Sequence, residues 1–431
     1  MTTEEFYSEY YGSPAVRAVI TKQFDDAAFA VGSGPFLKKQ KWHFPVKICP
    51  VSALDEFMAE GLDIYRPAVS TGDAFYIFWD LEYYNRKQRS YVYRHQKEVF
   101  EWMEPFIQEI NERLSAYGIK YILDTTASGY HYWMKISKKS AVFQELAREG
   151  FISESLKDKY AHAVARDVKR SKAVPEEDGR AYDCAGKLLE YLTQRIRAEM
   201  PAVKDGIDMT ISDSPPGGSS RTDGFSSDIT QYAHPLFMRV FRVLASLHQK
   251  NILYYGGVLP AVDIVRRKGM RISEVLDSMW DAGKAAGLLR NFSPELDYSD
   301  EGFSRLFADY KNSETRKLHR EFESAQAEEF RIADEPEQIA SHFAPENANP
   351  SLLEPSVLQK IIEHYAALGP AKLKGALKII AGYYNDPSYD WYDKERFTGI
   401  DWIKYDAAQA AHFWGRVYST QFKLNGKANN G

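Results

Sequence analysis

Ala74-Phe-Tyr-Ile-Phe-Trp-Asp-Leu-Glu-Tyr-Tyr84 is the stretch on which the fold turns. It follows the turn signal Ser70-Thr-Gly-Asp73, is rich in aromatic residues and reads as a central β-strand. Asp80 and Glu82 are separated by one residue, so a strand points both carboxylates to the same face within an apolar run. Two ionised acids so placed repel each other and lose hydration unless a cation holds them. A divalent ion such as Mg²⁺ or Mn²⁺, which prefers carboxylate oxygens, is one resolution. An edge strand whose acids face water is the other.

Working outward, Arg86-Lys-Gln-Arg-Ser-Tyr-Val-Tyr-Arg-His-Gln-Lys97 carries basic residues and two tyrosines without an acid. Val99, Met103, Phe106, Ile110 and Leu114 then keep helical spacing until Gly118 supplies a stop. A strand pair is expected over 119–123 and 130–136, joined by the turn Thr125-Thr-Ala-Ser-Gly129. That turn offers Ser128 and the Gly129 backbone as phosphate donors, and His131, Trp133 and Lys135 share one face of the following strand. Residues 141–200 read as helices broken around 174–179. A short strand over 206–211 sets Asp208 and Thr210 opposite Ile207, Met209 and Ile211. Arg221 follows a Pro-Pro-Gly-Gly turn, where its guanidinium could reach a triphosphate or simply face solvent. Upstream, Lys38, Lys39 and Lys41 form a basic cluster that is either a solvated loop or a phosphate contact.

The first 230 residues therefore mix strands and helices, an α+β arrangement. Beyond residue 233 the strand signal fades, and Leu236, Val240, Val243, Leu244 and Leu247 mark one amphipathic helix. The expected division is a catalytic domain over 1–232, a helical domain over 233–342, a linker over 343–355 and a C-terminal helical segment over 356–431. That last segment holds Trp391, Trp402 and Trp414.

Composition narrows the function classes. The 431 residues are 44% hydrophobic and 27% charged, the profile of a soluble globular protein. The net charge of −5 gives no global basic field, so any nucleic-acid binding must work through local patches or bound metal. Cys49 and Cys184 are the only cysteines, too few for a disulfide framework or a four-cysteine zinc site. No signal peptide, membrane-spanning run or P-loop occurs, so a cytoplasmic protein is expected and any helicase must be a separate partner.

Three blocks in this order, Tyr76-Ile-Phe-Trp-Asp-Leu-Glu-Tyr83, Ala127-Ser-Gly-Tyr-His-Tyr-Trp133 and Gly206-Ile-Asp208, resemble the archaeo-eukaryotic primase superfamily, most closely its plasmid and viral primase-polymerase branch. The resemblance covers roughly residues 35–235. It implies a mixed or antiparallel sheet with an RRM-like core flanked by helices and followed by a helical region. Asp80, Glu82 and Asp208 would bind two divalent ions, Mg²⁺ or Mn²⁺, with no zinc expected. Ser128, Gly129, His131, Lys135 and Arg221 would contact the incoming nucleotide. Asp228 stands where many members carry a lysine.

The function implied is a DNA-dependent primase-polymerase acting on single-stranded DNA with NTP or dNTP substrates, in a bacterial, archaeal or viral and plasmid replicon. Lys38, Lys39, Lys41, Arg86, Lys87, Arg89 and Arg94 would meet the template, with bases stacking on aromatic side chains. Two rivals are a metal-dependent nuclease using the same acids and a replication-initiation DNA-binding protein whose acids are structural.

Overall fold

A computed structural model describes residues 1–35, 37, 46–85, 87–162, 164–166, 171–200, 207–211, 223–326, 355–384 and 407–428. The chain begins with α1 (Thr3–Gly12), closed by a capping box between Thr2 and Glu5, and α2 (Pro14–Lys22), with proline at its first position. β1 (Ala30–Ser33), β2 (Val46–Cys49), α3 (Leu54–Ala59) and β3 (Asp63–Pro67) follow. The decisive stretch forms β4 (Ala74–Asn85). Phe75, Ile77, Trp79, Leu81 and Tyr83 are all buried on one face, and Asp80 and Glu82 stand half-buried on the other.

After α4 (Tyr91–Arg94), α5 (Gln96–Tyr117) runs to Gly118, whose φ of 71° is the left-handed cap expected there. β5 (Ile122–Thr125) and β6 (Gly129–Ser137) form the predicted hairpin. Next come α6 (Ala141–Glu149), α7 (Glu154–His162), a small hairpin of β7 (Val164–Arg166) and β8 (Ser171–Ala173), and the long α8 (Glu176–Glu199). The break expected around 174–179 falls at the start of α8, and the β7–β8 hairpin lies just before it, within a stretch expected to be helical. β9 (Met209–Ile211) and β10 (Asp223–Asp228) complete this half.

The expected helix over Leu236–Leu247 is not formed. The chain instead makes a 3-10 turn over Leu236–Met238, then β11 (Val240–Arg242) and β12 (Leu247–His248). The apolar spacing suits a helix, but Val240 and Phe241 have strand character and pair with Pro67 and Arg66 of β3. α9 (Lys250–Tyr255), β13 (Ala261–Val262) and β14 (Ile264–Val265) come next. The helices α10 (Ile272–Met279), α11 (Ala282–Leu288), α12 (Asp300–Lys311) and α13 (Glu314–Ser324) follow. α14 (Pro355–Ala367), α15 (Pro370–Tyr384) and α16 (Ala407–Ala428) make the C-terminal part helical, as expected. The linker over 343–355 lies outside the described residues apart from Pro355, which starts α14, and Trp391 and Trp402 also lie outside them.

Two sheets organise the protein, which is α+β. One has the order β11-β3-β1-β2 and is antiparallel throughout. The other has the order β14-β5-β6-β4-β10-β9 and is mixed, because β9 and β10 alone run parallel. So β11 and β14, from the stretch expected to be helical, each extend a sheet. Helices α5 and α8 cover the Trp79 face of the six-stranded sheet: Phe106 packs on Phe225, and Thr193 and Trp79 both donate to the Ser227 hydroxyl. On the opposite face Phe241 of β11 stacks on Phe78 at 4.4 Å and 12°.

The C-terminal helix is tied to α8 through buried charges. Arg416 donates to Asp183 at 2.7 Å and lies 3.7 Å from Glu190, while α13 packs on the same face of α8 with Glu323, which pairs with Lys187, and His319, 3.2 Å from Glu190. Burial works against the Asp183 carboxylate, but Arg416 and Lys187 outweigh it and hold the group down at about 2. Both cysteines are free, and no helix among the described residues is long and apolar enough to cross a membrane.

The β4–β6 pairing leaves no room for a side chain at Gly129. A Cβ there would lie 1.9 Å from the Leu81 carbonyl oxygen and 2.9 Å from Glu82 Cα. Gly129→Ala is therefore expected to destabilise the fold by more than about 2 kcal/mol, because both neighbours are backbone atoms that cannot swing away. Urea unfolding midpoints of the two proteins check this.

Candidate active site

Register across the large sheet assembles the site. Asp228 of β10 pairs with Asp80 of β4, Asp80 with His131 of β6, and His131 with Asp124 of β5. Directly paired residues face the same way, so three acids and one histidine stand in a single row. The next row holds Ser226, Glu82 and Gly129. His131 is the hinge of the row, with Nε2 3.6 Å from Asp80 Oδ1 and Nδ1 3.2 Å from Asp124 Oδ2. Trp133 Nε1 donates to Asp124 Oδ1 at 3.1 Å and fixes that carboxylate from behind. Asp80 and Glu82 keep 23% and 29% of their side-chain surface, whereas Asp124 keeps 1%. A substrate can therefore reach the first two but not the third.

Charge in the row is finely divided. Burial raises Asp80; His131 offsets part of this, but Glu82 and Asp228 add to it, and the carboxyl is pushed up to about 8. Burial alone would lower His131, yet Asp124 and then Asp80 outweigh it and hold the ring protonated, at about 9. Glu82 moves the other way. Burial opposes its ionisation, but Lys250, with Nζ 3.5 Å from Glu82 Oε1, brings its pKa below the ordinary value.

Asp228 is raised, first by burial and then by Glu82, although the Thr230 amide donates to it at 2.9 Å. Asp80 Oδ1 is buried without a hydrogen-bond partner among the described residues. Neighbouring acids, two of them with burial working against their ionisation and one with an oxygen unpartnered among the described residues, fit a divalent cation that would take up their charge. Asp80, Glu82 and Asp228 supply hard oxygen donors suited to Mg²⁺ or Mn²⁺.

The sequence expectations fare unevenly. Asp80, Glu82 and His131 are brought together. Asp208 is not: it precedes β9, which β10 separates from β4, and its carbonyl accepts from Phe225 N–H at 3.0 Å. The acid the sheet sets beside Asp80 is Asp228. Ser128 and Gly129 form the β5–β6 turn beside the row, but their amides both donate to Thr126 Oγ1, at 3.3 and 3.0 Å, so those backbone donors are spent within the turn. Lys135 lies four residues along β6 from His131, about 13 Å of strand, with Nζ 4.3 Å from the centre of the Tyr298 ring.

Lys87, Arg89 and Arg94 are exposed on the segment leading from β4 into α5. Lys38, Lys39, Lys41, Arg86 and Arg221 lie outside the described residues.

Several site residues escape the sequence reading. Arg242, His248, Lys250 and Asp263 all come from the region 233–342 expected to be a helical domain, and only Lys250 of the four lies in a helix. Arg242 Nη1 lies 3.5 Å from Asp263, and Arg242 Nη2 donates to the Tyr65 hydroxyl at 3.0 Å. Asp124, His131 and Asp263 each offer a ligand atom within 4.8 Å of the others, a spacing that could hold a metal. The cationic His131 and Arg242 already supply positive charge to that pocket.

The pKa directions fix a pH response. Asp80 rises from an ordinary value of about 3.9 and His131 from about 6.5, so the metal-free folded state binds protons that the unfolded chain has lost. The stability His131 adds is fully present below its unfolded value and is lost as pH rises through about 9. Asp80 ionisation costs stability progressively as pH rises toward about 8. Metal-free protein should thus lose thermal stability between roughly pH 6.5 and 9. The Tm gain from Mn²⁺ should grow over the same window, while Asp80→Asn flattens both responses. Thermal melts from pH 6 to 9, with and without Mn²⁺, test this; a Mn²⁺ gain equal in wild type and Asp80→Asn would show that Asp80 holds no ion.

No family model matches the sequence, and no curated protein matches it. Among solved structures, the polymerase domain from Mycobacterium tuberculosis Ligase D in complex with DNA aligns with 72% of this chain and 90% of its own, at 13% identity and a TM-score of 0.31.

Proposed function

We propose that the chain is a DNA-dependent primase-polymerase, a nucleotidyltransferase that starts and extends strands on single-stranded DNA from nucleoside triphosphates. One observation carries this reading: Asp80, Glu82 and Asp228 share a sheet face beside a cationic His131, with Lys250 reaching Glu82. Mg²⁺ or Mn²⁺ held by those three acids would neutralise the reacting phosphates and acidify the attacking hydroxyl.

The chain's own groups do the rest. Asp124 orients His131, and His131 with Lys250 supplies positive charge where a triphosphate must sit. The buried Ser128 side chain on the adjoining turn bounds that place. Lys87, Arg89 and Arg94 offer phosphate contacts to the template, with Tyr91 stacked on His95 between them at 4.2 Å.

Unprimed circular single-stranded DNA with Mg²⁺ or Mn²⁺ and labelled nucleoside triphosphates tests the reaction. Wild type should yield new oligonucleotides. Asp228→Asn and the Asp80→Ala/Glu82→Ala double variant should lose at least about a hundredfold in rate, whereas Asp208→Asn should stay within a few-fold. Degradation of the circle without synthesis would instead support a nuclease, and unchanged activity in the double variant would make the acids structural. Arg89→Ala/Arg94→Ala should weaken single-strand binding and reduce the slope of log affinity against log salt by about 0.7 per lost contact. Titrations at several salt concentrations measure that slope.

A further inference from the structure

Gln96, the first residue of α5, has a side-chain amide whose orientation is fixed by three contacts. The Trp280 indole N–H, which can only donate, reaches its Oε1 at 2.9 Å. Its Nε2 donates to the Ala127 carbonyl at 3.2 Å and to Met279 Sδ, a weak acceptor, also at 3.2 Å. Reversing the amide would set Oε1 against a carbonyl and a sulfur, and Nε2 against another donor. The network therefore assigns one orientation.

The carbonyl it holds belongs to the turn that leads into β6. Inside that turn the Thr126 amide donates to the Gly129 carbonyl at 2.8 Å, and Thr126 Oγ1 takes the amides of Ser128 and Gly129. From outside, the Tyr83 amide donates to the Ser128 carbonyl at 3.0 Å and ties the turn to the strand that carries Glu82. Gln96 ties the preceding carbonyl to α5 and, through Met279 and Trp280, to the end of α10. Two consecutive carbonyls are thus anchored to different elements, which leaves the Ser128 side chain little freedom. That side chain is 3% exposed, and its hydroxyl has no hydrogen-bond partner among the described residues. Beside a cationic His131, an unpartnered hydroxyl suits an anionic oxygen.

We propose that Gln96 is a positioning residue for nucleotide binding: it holds the Ala127 carbonyl so that the Ser128 hydroxyl stands ready for a phosphate oxygen of the incoming nucleoside triphosphate, and Trp280 sets its amide. This rests on the nucleotidyltransferase reading and goes beyond it by giving α10, a helix outside the acid-bearing strands, a part in nucleotide affinity. Gln96 acts through Ser128 and is not itself a substrate contact.

Equilibrium binding of a nucleoside triphosphate with Mg²⁺ tests the assignment. Gln96→Met, similar in length and uncharged, should raise the dissociation constant about tenfold. Trp280→Phe, which frees the amide to turn, should raise it about threefold. The two losses should not add, so Trp280→Phe should cost nothing further in the Gln96→Met background. Nor should Gln96→Met weaken binding in the Ser128→Ala background, where the hydroxyl it positions is gone. The Tm gain from Mn²⁺ should stay as in wild type, because no acid of the row belongs to the turn. A folded Gln96→Met protein with wild-type nucleotide affinity would overturn the proposal, as would an undiminished loss in the Ser128→Ala background or a lost Mn²⁺ gain. Should Gln96→Met fail to fold, Trp280→Phe with and without Ser128→Ala decides, since additive losses exclude the coupling. Nucleotide affinity unchanged by Ser128→Ala would overturn this proposal alone, whereas wild type that binds no nucleotide would overturn the nucleotidyltransferase reading with it.

Discussion

Like charges on one face of a sheet are the constraint around which the rest of this protein is arranged. Register alone forces Asp228, Asp80 and Asp124 into one row with Glu82 beside them. Unrelieved, four acids at this spacing and burial would not stay ionised. Relief comes from His131 within the row, from Lys250 on Glu82, and from Arg242 behind Asp263. Relief is incomplete at Asp80, and that shortfall is what makes the row a site rather than a buried ion cluster.

The relieving groups come from far along the chain. β4 and the β5–β6 hairpin supply the acids and His131, whereas Arg242, His248, Lys250 and Asp263 come from the segment that also extends both sheets. β11 carries Arg242 while its Phe241 stacks on Phe78, so the guanidinium that lies against His248 and Asp263 is held by the same short strand that packs the sheets together. Positioning and core packing are thus one act here, and a substitution at Phe241 would disturb both.

What could be read from the sequence was local. The aromatic run of β4, the hairpin turn before His131 and the Gly118 helix stop are each written in adjacent residues, and all three are found. The third acid could not be read that way. Asp208 and Asp228 both adjoin short strands beside loops, and only pairing with β4, more than a hundred residues upstream, selects Asp228. Likewise the apolar spacing from Leu236 to Leu247 satisfies a helical template, but β3 offers Val240 and Phe241 a better use. Non-local partners decided each case, and with them the whole basic side of the site.

The buried charges that bind α16 to α8 carry a consequence for biogenesis. α8 backs the six-stranded sheet, yet its Asp183 waits for Arg416, a partner 233 residues further on. During synthesis from the N-terminus the acid face of α8 has no complete counter-charge until that helix leaves the ribosome. The layer behind the acid row is therefore completed last, when α16 brings Arg416 to a carboxylate that until then has only Lys187 of its own helix beside it.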